Sequence, residues 1–76
     1  VVRGRQLTGR LRSILEAIDD GDLGGAADQL ADLEARAFFA DDPYAGDLGY
    51  ARWRLVGGDV SGCVDTLRRL VEGAGR

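Results

Sequence analysis

The chain has no histidine, lysine, methionine or asparagine, a single cysteine and a single proline, and each absence removes a class of chemistry. Without histidine there is no Ser-His-Asp or Cys-His arrangement, and Ser13, Ser61 and Cys63 have no neighbouring base of that kind to activate them. One cysteine allows no disulfide within the chain, and with no histidine beside it no zinc site forms from it. Without lysine, the glycine-rich stretch Gly57-Gly58-Asp59-Val60-Ser61-Gly62 is no phosphate loop. Long apolar runs are also missing: none approaches the roughly 20 residues that cross a bilayer. No basic-then-apolar leader opens the sequence, so a cytoplasmic chain is expected.

The acidic stretches likewise suggest structure before chemistry. A calcium loop starting at Asp20 would have Asp22 third and Gly25 sixth, but Gly24 holds the fifth position and Ala31 the twelfth, where a bidentate Glu is needed. The pairs Asp19-Asp20 and Asp41-Asp42 fall in polar turns, where they are expected to serve as caps and solubilising charges and not in acid–base work. The expectation is therefore a protein that is not an enzyme, with no cofactor and no metal.

What is present is a duplication. Shifting the sequence by 37 residues lays Gly9, Leu11, Gly21, Asp22, Gly25, Asp28, Leu30, Leu33 and Ala37 over Gly46, Leu48, Gly58, Asp59, Gly62, Asp65, Leu67, Leu70 and Ala74, without a gap. Ile18 falls over Leu55, Leu23 over Val60, and Ala26 over Cys63, which makes Cys63 a small core residue. Within each copy, apolar residues recur at helical spacing on either side of a glycine turn. Leu7, Leu11, Ile14, Leu15 and Ile18 form the first stripe, and Leu23, Ala26, Ala27, Leu30 and Leu33 the second. Tyr44, Leu48, Ala51 and Leu55 form the third, and Val60, Cys63, Val64, Leu67, Leu70 and Val71 the fourth.

Gly21 and Gly57-Gly58 are expected to break the helices, with Asp22 and Asp59 capping the next ones. Asp42 is expected to cap the third helix with Pro43 at its first position, and Arg68 and Arg69 to lie in the last turn of the fourth, before Gly73. At 76 residues the chain is one all-α domain, 1–76, of two tandem helix-turn-helix hairpins, units 5–39 and 42–74.

Glycine in the turn, a small residue five positions on, and large apolar residues at further steps of four and three give this unit its signature: Gly21, Ala26, Leu30 and Leu33, then Gly58, Cys63, Leu67 and Leu70. In these positions the chain resembles the tetratricopeptide-type repeat. It departs from that family in the first helices, where Leu48-Gly49 comes two positions early and Ala17 and Arg54 hold the aromatic position, and in its period, about 34 residues in the family. The resemblance implies a scaffold that binds proteins or peptides in a groove lined by first helices. A small four-helix bundle is the other architecture that fits the pattern.

Charge and aromatics then suggest where a partner docks. Residues 1–12 carry four arginines and no acid, whereas residues 13–47 carry ten acids against Arg36 alone, within a net charge of −3. That separation suits contact between copies, or with a charged protein, better than wrapping nucleic acid. A helix-turn-helix DNA reader using the N-terminal arginine arm is the alternative, but Asp28, Asp32 and Glu34 on its reading helix would repel phosphate. A small acidic carrier protein is a further alternative, although Asp22-Leu23-Gly24 stands where it needs an exposed serine.

All five aromatics, Phe38, Phe39, Tyr44, Tyr50 and Trp53, fall within sixteen residues. Tyr50 and Trp53 project from the third helix away from Leu48 and Leu55. Either the second helix packs over them, helped by Gly46 and Gly49, or they form a patch with Arg52, Arg54, Phe38 and Phe39 for another protein, a peptide or a second copy. The expected function is accordingly a protein–protein interaction module with no membrane or nucleic-acid partner.

Overall fold

At all three junctions between the four helices, the preceding helix ends by the same device. The computed structural model describes residues 3–74, with side chains from 7 to 73, and is all-α: α1 (Arg3–Asp19), α2 (Leu23–Phe39), α3 (Ala45–Val56) and α4 (Val60–Ala74). The N-terminal arginine arm falls partly outside this range, since the side chains of Arg3 and Arg5 are not among those described.

At the end of α1, Gly21 takes a left-handed φ of +83°, its N–H donates to Ile18 O at 3.0 Å, and the N–H of Asp22 donates to Ala17 O at 2.8 Å. This pair of bonds satisfies carbonyls that the helix end leaves without partners. The Asp22 carboxylate then accepts the Gly25 N–H at 3.0 Å and caps α2. The turn between α3 and α4 repeats it: Gly58 has φ +93°, Asp59 N–H donates to Arg54 O at 2.8 Å, and the Asp59 carboxylate accepts Gly62 N–H at 3.0 Å. Gly25 and Gly62 serve the same caps, because a Cβ at either would collide with the capping carboxylate.

Between the hairpins the left-handed residue is not glycine. Asp41, at φ +55°, donates to Phe38 O at 3.1 Å, and Asp42 N–H donates to Ala37 O at 2.8 Å. Aspartate tolerates this conformation better than most residues but still pays for its Cβ. Asp41→Gly is therefore expected to raise the unfolding free energy by about 0.5–1 kcal/mol, read as a shift in the urea midpoint; an unchanged or lower midpoint would show that the carboxylate offsets the strain.

Two boundaries differ from expectation. Helix α3 starts at Ala45, not Pro43, because the Asp42 carbonyl is taken by Ala45 N–H at 3.1 Å and its carboxylate by Tyr44 N–H at 3.0 Å. Asp42 and Pro43 thus build a tight turn ahead of the helix, a setting that suits Asp followed by Pro. Helix α4 continues through Gly73 to Ala74, so Arg68 and Arg69 are not in its last turn. One glycine costs a helix only about 1 kcal/mol, which the packing of Leu70 and Val71 offsets.

The core takes two or more residues from every helix: Leu11 and Ile14; Ala26, Leu30, Leu33 and Ala37; Leu48, Ala51 and Leu55; Cys63, Leu67 and Leu70. Leu23 was expected among them but lies at the first position of α2 and is exposed. The packed pairs are α1–α2, α2–α3, α3–α4 and α1–α4, with no diagonal pair among the described residues. Four helices thus close into a ring, a small four-helix bundle with extents of 33 × 21 × 17 Å. Exchanging the hairpins maps α1–α2 onto α3–α4 and α2–α3 onto α1–α4, so the 37-residue duplication becomes an approximate two-fold symmetry of the bundle.

Candidate interaction surface

A twelve-residue helix that turns Leu48, Ala51 and Leu55 inward must turn Tyr50, Trp53 and Val56 outward, since they lie one to two positions off that stripe. Of the two arrangements open from the sequence, packing of α2 over Tyr50 and Trp53 is not the one found: Trp53 is 66% exposed and Tyr50 46%, with Val56 beside them 70%. Instead of apolar packing, α2 sends Glu34 across. Its carboxylate lies over Gly49, where a Cβ would press against it, and accepts a hydrogen bond from Arg52 Nε at 2.6 Å. Gly49 makes room for this ion pair, and the pair leaves the aromatic rings beside it uncovered.

Arg54 is folded back onto the same rings. Its Nε donates to the Tyr50 hydroxyl at 2.9 Å, and its guanidinium carbon lies 5.2 Å from the Tyr50 ring centre and 5.3 Å from that of Trp53. These are cation–π distances. The two rings are 6.1 Å apart, and the outer end of Arg54 reaches Asp59 at 3.2 Å, tying the face to the cap of α4. The hydrogen bond to Tyr50 and the electrostatic interaction with that side chain raise the guanidinium pKa; desolvation opposes them, and Asp59 adds a lesser upward push.

Phe38 and Phe39 end α2 and meet edge to face, with ring centres 5.8 Å apart, and Phe39 is 85% exposed. Phe38 is one turn beyond Glu34, and Val56 one turn beyond Arg52. Because a short connector makes α2 and α3 antiparallel, Phe38 and Val56 flank the Glu34–Arg52 bridge on opposite sides. The exposed large apolar residues among those described are Leu23, Phe38, Phe39, Tyr50, Trp53 and Val56, all on α2 and α3. The six residues singled out from the sequence thus lie on two neighbouring helices, in two ring pairs, with Arg52 turned toward α2 and Arg54 toward the start of α4.

The duplication supplies an internal control. Residues 37 positions before Tyr50, Trp53 and Val56 are Ser13, Glu16 and Asp19, all exposed on α1. Arg52 and Arg54 correspond to Leu15 and Ala17. One fold position therefore accepts polar residues in one copy and aromatic or aliphatic ones in the other.

Elsewhere several polar side chains pair with one another. Ser13 donates to Gln29 across the α1–α2 cleft at 3.1 Å, and Asp32 there bridges Arg36 at 3.0 Å and Arg10 at 4.0 Å. Thr66 donates to its own helix at Gly62 O. Cys63 is fully buried, and burial, reinforced by Asp59, pushes its thiol pKa up. Among the described residues no cluster of three acidic, cysteine or histidine side chains could hold a metal, and no helix is long and apolar enough to cross a membrane. Comparison with protein-family models, with curated proteins and with solved structures finds no match to this chain.

Proposed function

We propose that the chain is a non-enzymatic protein–protein interaction module whose contact surface is the outer face of α3 with the end of α2: Tyr50, Trp53, Val56, Phe38 and Phe39, framed by Arg52 and Arg54. One observation carries the reading. The bundle asks nothing aromatic of these positions, since its two-fold-related helix holds Ser13, Glu16 and Asp19 there. Exposed rings beyond what the fold requires are a cost in solubility unless something covers them, and aromatic and arginine side chains are the residues that anchor interfaces. The groove implied by the tetratricopeptide resemblance needs the first helices side by side, whereas α1 and α3 are at opposite corners of this ring; the proposed surface uses α3 with α2. A lone buried thiol suits a reducing compartment, which supports reading the module as cytoplasmic.

A photo-crosslinking residue tests the surface by its position. Placed at Val56 in the protein's own cellular setting, it is expected to give protein adducts, whereas at the two-fold-related Asp19 it gives none. Equal yields at both sites, or none at Val56, would overturn the assignment.

A further inference from the structure

We infer that the chain exchanges hairpins: two copies part between α2 and α3 and close again as an intertwined dimer, with α1–α2 of each packed on α3–α4 of the other. The outer face of α3 takes no part in this and is the same in both forms. Three features of the molecule carry the inference.

The first is equivalence. Each hairpin is closed on itself by a glycine turn and an aspartate cap, whereas the hairpins meet through the α2–α3 and α1–α4 seams, with no diagonal pair among the described residues. Every contact between hairpins therefore forms as well with another copy's hairpin as with the chain's own. The α1–α4 seam is also incompletely filled. Leu15, Ile18, Val64 and Arg68 line an open groove of about 370 Å³ along it, and an open groove holds less dispersion energy than a close-packed seam.

The second is the connector. Among the described residues Asp41 is the one non-glycine residue with a positive φ, +55°, whereas the turns within the hairpins place Gly21 at +83° and Gly58 at +93°. A left-handed backbone is costly for an L-residue, and the turn that folds α3 back along α2 is what holds Asp41 in it. Exchange relaxes Asp41 in both copies at once. Residues 40–44 then extend over about 17 Å, comparable with the 21 × 17 Å cross-section of the bundle, so α3 reaches a neighbouring bundle. A short, strained connector is the setting that favours such exchange.

The third is charge, which sets the conditions. Asp41 and Asp42 stand outside the ion pairs among the described residues, and exchange brings the connectors of both copies side by side. Their carboxylates repel, so low salt favours the monomer and added salt shifts the balance toward the dimer. Concentration acts in the same direction. The chain's own hairpin competes at an effective concentration on the order of 1 mM, and exchange needs a chain concentration that approaches it.

The test refolds the purified full chain from urea at about 1 mM and at about 10 µM and reads the molar mass by gel filtration with light scattering. At the higher concentration, in about 0.5 M salt, a species of twice 8.1 kDa that outlasts dilution is expected; at the lower one, the monomer. Isotope-labelled and unlabelled chains are expected to form mixed dimers, by native mass spectrometry, only when unfolded together. Asp41→Gly relaxes the closed turn and should lower the dimer constant at least about fivefold. Deleting Asp41 and Asp42 should give a dimer even at the lower concentration, since the shortened connector no longer lets α3 fold back. Monomer under every condition overturns the exchange. So does a dimer whose labelled and unlabelled forms mix without unfolding, which is a surface contact, and an unchanged dimer constant in Asp41→Gly overturns the strained connector as its cause. None of these results touches the crosslinking from Val56, which tests the outer face separately.

Discussion

Leu30→Ala is expected to lower the unfolding free energy by about 3–5 kcal/mol, and Leu67→Ala by the same amount to within about 0.5 kcal/mol. Both leucines are wholly buried, stand on the second helix of their hairpins and are related by the 37-residue shift. Each therefore loses the same methyl groups from equivalent sites in the ring, and a bundle of short helices joined by capped turns has little freedom to collapse around the cavity. A chain of 76 residues is stable by about 4–11 kcal/mol in total, so either substitution removes a large share of what holds it together. Urea unfolding followed by far-UV circular dichroism measures both values, with Val56→Ala as an exposed control expected within about 0.5 kcal/mol of the parent. A cost below about 1 kcal/mol at either leucine would contradict the ring packing, and unequal costs would contradict its symmetry.

The turns and core were legible because the duplication prints them twice. A glycine with positive φ leaves a specific residue at 21 and 58, a cap leaves aspartate at 22 and 59, and inward spacing leaves leucine at 30, 33, 67 and 70. The start of α3 was misread because proline is favoured both at the first position of a helix and inside a tight turn; Asp42 chose the turn by giving both its carbonyl and its carboxylate to the next residues. The end of α4 was misread because one glycine does not stop a helix whose last apolar residues are packed. The Asp41 turn did leave a signal. Asp41-Asp42 falls after Ala40 as Gly21-Asp22 follows Asp20 and Gly58-Asp59 follows Gly57, so aligning all three helix ends, beyond the two repeats, identifies it.

The candidate surface was only half legible. Periodicity shows that Tyr50 and Trp53 point away from the inward stripe, but not how far a neighbouring helix wraps around, which depends on crossing angles that no local spacing encodes. Gly49 in mid-helix read equally well as room for apolar packing, and the structure fills that room with the Glu34 carboxylate. Ring closure was similarly out of reach, since hairpins that stack in a row and hairpins that close on each other use the same apolar stripes. The sharper clue lay in comparing the repeats where they differ: Ser13, Glu16 and Asp19 under Tyr50, Trp53 and Val56.

Cys63 in the native protein is expected to be alkylated by iodoacetamide about a thousandfold or more slowly than in urea, the second large effect that this structure implies. Its side chain is fully buried in the ring, and the thiolate is the reacting species. Burial, with Asp59 acting in the same direction, raises the thiol pKa and keeps it neutral. Reaction must then await opening, and at a stability of about 5 kcal/mol only about one molecule in several thousand is open. Leu30→Ala should abolish most of that protection, tying the labelling rate to the same free energy that urea measures; rapid labelling of a fully helical parent would place the thiol at the surface. The raised pKa also has a sign in stability. The folded state keeps its proton over a pH range where the unfolded thiol loses one, so this contribution is complete below the ordinary thiol pKa and is lost as pH rises through the folded value. Cys63→Ala puts at this position the residue that the first hairpin already holds at Ala26; it should fold, and its stability should lack that alkaline decline.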